Sequence, residues 1–183
     1  MVRGHGRGSE YLVKHTIAVL LENKPGALMR IASMFARRGY NIDSLAVGPT
    51  ERQDVSRVTI RVDCDQHPLE QIEKQMHKLV NVLRVAELVP GESIERELAL
   101  IKVTAPPERR AELLALADVF HARVGDLGPE ALVFEVVGAP EEIDSFEELV
   151  RPHGVKELVR TGRIGLTRAS DRQGIKRRQH VLR

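Results

Sequence analysis

The stretch LLENKPGALMRIASMF, residues 20–35, places Asn23 and Gly26 around Lys24-Pro25, where an apolar run gives way to a helical pattern. Asparagine offers a donor and an acceptor. Glycine has no Cβ, so another molecule can approach its backbone closely. The free N–H groups at a helix start attract a carboxylate. Together these are the parts of a site for a small amino acid. The same residues serve equally well as punctuation, because Asn is a good N-cap and Pro is pre-organised for a first helical turn. On residue types alone the two readings are balanced.

Other reactive residues form no comparable set. The seven histidines lie at 5, 15, 67, 77, 121, 153 and 180, and no two are three to five residues apart. That spacing argues against a metal site, and His77 is expected on a solvated helix face. Cys64 follows Asp63 with no evident base and is expected to be inert. Glu141-Glu142 follows Pro140, where a helix dipole favours acid, so a structural role is expected. Neither a phosphate-loop signature nor G-x-S-x-G is present. The tail KRRQHVLR could contact phosphates, but it lacks aromatic residues for stacking and no helix-turn-helix pattern precedes it, so nucleic acid is not the expected partner. An acidic patch on a partner protein would suit it at least as well.

The 183 residues suffice for one domain or two of roughly 80 residues. Aromatic residues make up 3% and Trp is absent, so the core is expected to be aliphatic. No apolar run approaches the ~20 residues of a membrane span. MVRGHGRGSE does not read as a secretory leader, and one cysteine suits a reducing cytosol; a cytoplasmic protein is expected. Of the net charge of +2, residues 169–183 carry +4 and residues 1–14 carry +2, leaving residues 15–168 at −4. Both ends are expected to be flexible.

TIAVLL (16–21) is apolar on both parities, which predicts a central strand covered on both faces. Leu28, Ile31, Ala32 and Phe35 predict a one-sided helix, with Gly39 as its left-handed cap. NIDSLAVGPT reads as a strand closing in a turn. Residues 55–63 alternate Val58, Ile60 and Val62 with Arg57, Thr59 and Arg61, which predicts a strand with one wet face. A helix after Pro68 carries Leu69, Ile72, Met76, Leu79 and Val80 along one stripe, whose burial is worth gross ~8–15 kcal/mol. VLRVAEL (82–88) closes a β-α-β-β-α-β unit, the split pattern of ferredoxin-like folds. After a linker at PGES (90–93) the order recurs. It runs through ELALIKVTA, a helix opened by Pro106-Pro107, RVGDLG, ALVFEVVG, a helix opened by Pro140, and one or two strands in VKELVRTGRIGLTR. The expectation is α+β, with two βαββαβ domains at 15–90 and 95–168 between an extension (1–14) and a basic tail (169–183).

N-x-P-G-x-L after the first strand of such a unit resembles the ACT domain, a regulatory module that binds amino acids between subunits. RRGYNIDSLAVGPTE, SRVTI, LEQIEKQMHKLVNVLRVAEL, ERELALIKV and RTGRIGLTR extend the likeness from about His15 to Arg168. Together they resemble the regulatory (small) subunit of acetolactate synthase, also called acetohydroxyacid synthase. The resemblance implies an N-terminal ACT domain that dimerises, a ferredoxin-like C-terminal domain and no active site. It implies a catalytic (large) subunit as partner, which holds thiamine diphosphate, Mg and FAD, whereas this chain binds no cofactor. It implies activation of that subunit and feedback inhibition, usually by valine, in branched-chain amino-acid synthesis. Carried over by position, Asn23, Gly26, Ala27 and Leu28 of one subunit would meet Asn41 and Ile42 of its neighbour around the effector. A free-standing amino-acid sensor acting on another enzyme or a transcription complex is the alternative. A transcription regulator would need a DNA-binding domain, for which there is no room. An enzyme with a fused ACT domain would need a nucleophile and base in 95–168, which offers no such pair.

Overall fold

The first strand, β1 (Lys14–Glu22), is apolar on both parities and has neighbours on both sides. The computed structural model describes residues 14–63 and 69–169; the extension up to residue 13, Cys64 and the tail from residue 170 lie outside them. β1 is followed by α1 (Ala27–Arg37), β2 (Ile42–Pro49), β3 (Val55–Asp63), α2 (Leu69–Met76) and β4 (Val82–Glu87). The sheet order is β2-β3-β1-β4, with every pairing antiparallel. Ile17, Val19 and Leu21 from β1 and Val58, Ile60 and Val62 from β3 form the floor of an aliphatic core, and both helices pack onto it. α1 ends in a Schellman motif. Gly39 takes φ +69°, its N–H donates to Ala36 O, the Tyr40 N–H donates to Phe35 O, and the Phe35 and Tyr40 rings meet edge-on at 5.6 Å.

The second half repeats the plan with β5 (Ser93–Thr104), α3 (Arg110–Val119), β6 (Arg123–Leu127), β7 (Ala131–Gly138), α4 (Pro140–Val150) and β8 (Val155–Arg160). Its sheet order is β6-β7-β5-β8. Ala99, Ile101 and Val103 face Leu113, Ala117, Ile143, Phe146 and Val150 across its core. The fold is therefore α+β, two ferredoxin-like βαββαβ units in series. A ninth strand, β9 (Ile164–Thr167), leaves this plan and pairs with Ser93–Arg96, the first residues of β5.

That ninth strand and the start of β5 paired with it set the surroundings of the N-terminal sheet in ways the sequence pattern did not carry. Ser93, read as linker, is already in β5, because its ladder partner Thr167 lies far along the chain. The face of β3 expected to be wet is covered. Thr59 is only 2% exposed, and the Arg57 guanidinium donates to Gly165 O of β9 at 3.4 Å. The second face of β1 is likewise covered from within the chain, where Thr16 Oγ1 donates to Glu95 Oε2 at 3.4 Å. Burial also holds the Arg61 guanidinium below its ordinary pKa, chiefly through desolvation. Smaller differences follow helix geometry. α1 buries Ala27, Ile31, Met34 and Phe35, leaving Leu28 36% exposed, and α2 stops at Met76, so Val80 is 82% exposed. Lys14 belongs to β1, where it pairs with Asp43 at 2.5 Å.

Candidate functional site

The loop after β1 is tied to the β2–β3 turn, and Asn23 does the tying. Its backbone N–H donates to Asp54 O at 2.8 Å and its Nδ2 to Gln53 O at 3.1 Å. Asn23 is therefore not the helix cap expected from its type. Gly26 is the N-cap, at φ 79° and ψ −6°, with no side-chain cap bond. The Ala27 N–H donates to Lys24 O at 3.2 Å, which closes a turn with Pro25 and Gly26 at its centre. Gly26 has the dihedrals of the third residue of a type II turn, and proline suits the position before it. The Pro-Gly pair is thus consumed by the turn and does not enter the helix.

This geometry leaves the start of α1 electrostatically positive. No acidic residue stands in its first turn, and the N–H groups of Leu28 and Met29 precede the first full helical turn. The nearby carboxylates already have partners. Glu22 accepts from Asn81 at 2.7 Å and from Lys24 at 3.2 Å, and these bonds hold its pKa below the ordinary value. Asp54 is held low by its hydrogen bond with Arg52 at 2.7 Å. A Cβ built on Gly26 would meet nothing within 4 Å, so this glycine is required by its φ and its approach is open. Ala27 is buried and contributes backbone alone, whereas Leu28 and Met29 (68% exposed) offer apolar surface beside it. The chemistry available is capture of a carboxylate by backbone N–H groups next to an apolar shelf.

Asn41 and Ile42 lie elsewhere in the same chain. Asn41 Nδ2 donates to Asp43 Oδ1 at 3.1 Å, and Ile42, half-buried against the N-terminal core, pairs with Val62. The register puts Val62 beside His15 at the start of β1, while the Gly26 loop leaves the end of β1 at Glu22. A nine-residue strand at ~3.3 Å per residue separates the two groups. The fold thus brings Asn23, Gly26, Ala27 and Leu28 together at one end of the sheet, with Asn41 and Ile42 at the other. Sequence reading missed the free edge between them. β2 is an edge strand, and its Leu45 and Val47 are exposed although they share the helix-side parity of Ile60 and Val58. Among the described residues no three His, Cys, Asp or Glu converge as a metal site, and no helix is long and apolar enough to cross a membrane.

Two ferredoxin-like βαββαβ domains in series, the first with an open helix start at Gly26, are the class that this fold and loop define, and comparison with known proteins gives the family. Residues 17–84 match the profile of the acetohydroxyacid synthase small-subunit-like ACT domain, and residues 96–169 match the profile of the acetolactate synthase small subunit. The chain is 48% identical to the probable acetolactate synthase small subunit of Archaeoglobus fulgidus, covering 86% of this chain and 99% of that one. It is 44% identical to the acetolactate synthase small subunit of Mycolicibacterium smegmatis, over 84% of this chain and 91% of its relative. The crystal structure of the small subunit from Thermotoga maritima superposes with a TM-score of 0.78 at 38% identity, covering 85% and 98% of the two chains. The chain belongs to the acetolactate synthase small-subunit family, and its N-terminal half is an ACT domain. It is a regulatory subunit whose partner is the catalytic subunit of that synthase.

Proposed function

We propose that the chain activates the acetolactate synthase catalytic subunit and makes it subject to feedback inhibition by a branched-chain amino acid, valine first among the candidates. The catalytic subunit holds thiamine diphosphate, Mg and FAD, and this chain holds none of them. The observation that carries the reading is the separation of the two residue groups. Two copies joined side by side through antiparallel β2 edges would carry Asn41 and Ile42 of one copy to the end of the sheet where the other presents Gly26. Gly48 and Pro49, which close β2, lie at that same end, opposite Arg57 and Ser56. A C2 dimer of this kind generates two equal sites. It also covers Leu45 and Val47 and caps a free strand edge.

The amino-acid carboxylate would rest on the start of α1, and the side chain of Asn41 from the neighbour would take the ammonium or carboxylate edge. Branched aliphatic side chains suit the apolar shelf of Leu28 and Met29. Calorimetry of the purified chain with valine, leucine and isoleucine, followed by assay of the catalytic subunit with and without the chain, tests the reading. The expected result is binding of at least one of the three, a rise in pyruvate condensation when the chain is added, and partial reversal by the bound amino acid. A catalytic subunit indifferent to the chain would overturn it.

A further inference from the structure

The C-terminal part of the chain meets the N-terminal sheet on β1 and β3, and also on β2. In the turn between β8 and β9, Gly162 takes φ +77° and lies so close to Ser44 that a Cβ on it would stand 3.0 Å from Ser44 Cβ and 3.3 Å from Ser44 Oγ. Ser44 lies on β2 two residues after Ile42, and Asn41 immediately precedes that strand. The next residue in the turn, Arg163, pairs with Glu95 Oε2 at 3.2 Å and reaches Glu141 in the first turn of α4 at 3.6 Å. The same Glu95 oxygen accepts from Thr16 Oγ1 at 3.4 Å, and Thr16 Oγ1 accepts from Arg61 Nη1 at 3.3 Å. Arg61 is the ladder partner of Ser44. The path is closed, running from Ser44 through Gly162, Arg163, Glu95, Thr16 and Arg61 back to Ser44.

Two physical features suit this circuit to carrying a displacement. Gly162 faces Ser44 with so little space that an added Cβ would crowd it, so a small shift of β2 there meets the turn's backbone with no side chain on Gly162 to swing aside. The Arg163–Glu95 pair is mostly buried, with side chains 16% and 14% exposed, so its attraction is little screened and fixes the turn on the sheet. Packed contacts of this kind switch between arrangements and do not deform smoothly.

We propose that the β8–β9 turn couples β2 to the C-terminal domain, with Gly162 against Ser44 as the contact and Arg163–Glu95 as its anchor. The proposal rests on the reading that β2 carries half of the effector site. Effector binding at Asn41 and Ile42 would move β2 against Gly162, and the C-terminal domain would follow through β5, which belongs to both the β9 ribbon and the C-terminal sheet.

The test uses the full chain with its catalytic subunit and three variants. Gly162→Ala drives a Cβ into Ser44, Ser44→Gly removes the opposing Cβ, and the double variant keeps the strained φ while relieving the contact. Gly162→Ala should bind the branched-chain amino acid within about 2-fold of the parent. It should lose most of an inhibition expected to fall in the ~5–150-fold range of allosteric coupling. The double variant should regain that inhibition. Gly162→Ala inhibited as fully as the parent, or no recovery in the double variant, would overturn the proposal. A second readout needs no effector. By reciprocity, adding the catalytic subunit should change hydrogen exchange of the β2 amides, residues 42–49, in the parent and leave them unchanged in Gly162→Ala. A parent indifferent to all three amino acids would refute the effector assignment alone. Unchanged β2 exchange in the parent would refute the coupling itself.

Discussion

Gly26→Asp separates the folding role of the loop from its ligand role. At φ +79° a residue with a Cβ costs roughly 1–2 kcal/mol, with Asp near the low end because it tolerates the left-handed region. No atom lies within 4 Å of the new Cβ, so no clash is added. The carboxylate then sits at the positive start of α1, which has no acidic residue of its own, and recovers ~0.3–1 kcal/mol. The net loss of stability should stay below about 1 kcal/mol, a fall of about 2–4 °C in Tm for a chain of this size. The effect on the ligand is larger. Two carboxylates about 5 Å apart at an effective dielectric of about 20 repel by ~3 kcal/mol, or about 100-fold in Kd. Calorimetry with valine, leucine and isoleucine measures that loss, and a thermal melt measures the fold. Gly26→Ala carries the strain without the charge, so Asp must lose more affinity than Ala. A Gly26→Asp chain that binds branched-chain amino acids as tightly as the parent would refute the assignment of this loop.

Asn41→Ala should weaken effector binding by ~1–3 kcal/mol, the worth of one or two buried hydrogen bonds, and unchanged calorimetry would remove Asn41 from the site. Val47→Asp puts a charge in the exposed apolar row of the β2 edge, so sedimentation at micromolar concentration should change from dimer to monomer. A parent that sediments as a monomer with and without effector would refute the edge-to-edge assembly. Phe146→Ala should cost the C-terminal core about 3–5 kcal/mol, because its fully buried ring packs against Phe134 at 5.6 Å and Phe120 at 5.4 Å. Urea denaturation reads that loss, and one under about 1 kcal/mol would contradict the packing described.

Features that depend on local chemistry are legible from residue types and spacing alone. β3 begins at Val55 and ends at Asp63, as its alternation predicts, and Gly39 caps α1 because only a residue free to take φ +69° closes the Schellman motif. Ile143, Phe146 and Val150 fall on the buried stripe of α4 because their spacing follows the helical period. The repeat of the βαββαβ order was legible for the same reason, and so was the family, whose motifs run through both halves. Asn23 shows where local chemistry stops. Its type suits a cap, yet the β2–β3 turn claims its side chain through Gln53 O, a partner 30 residues away. Arg57 and Thr59 alternate as a wet face should, yet Thr59 is buried and the Arg57 guanidinium donates to Gly165 O of β9. Leu45 and Val47 alternate as core residues should, and an edge position leaves them exposed. In each case a segment distant along the chain sets the environment. Periodicity records which residues share a face, and only tertiary packing decides what lies against it.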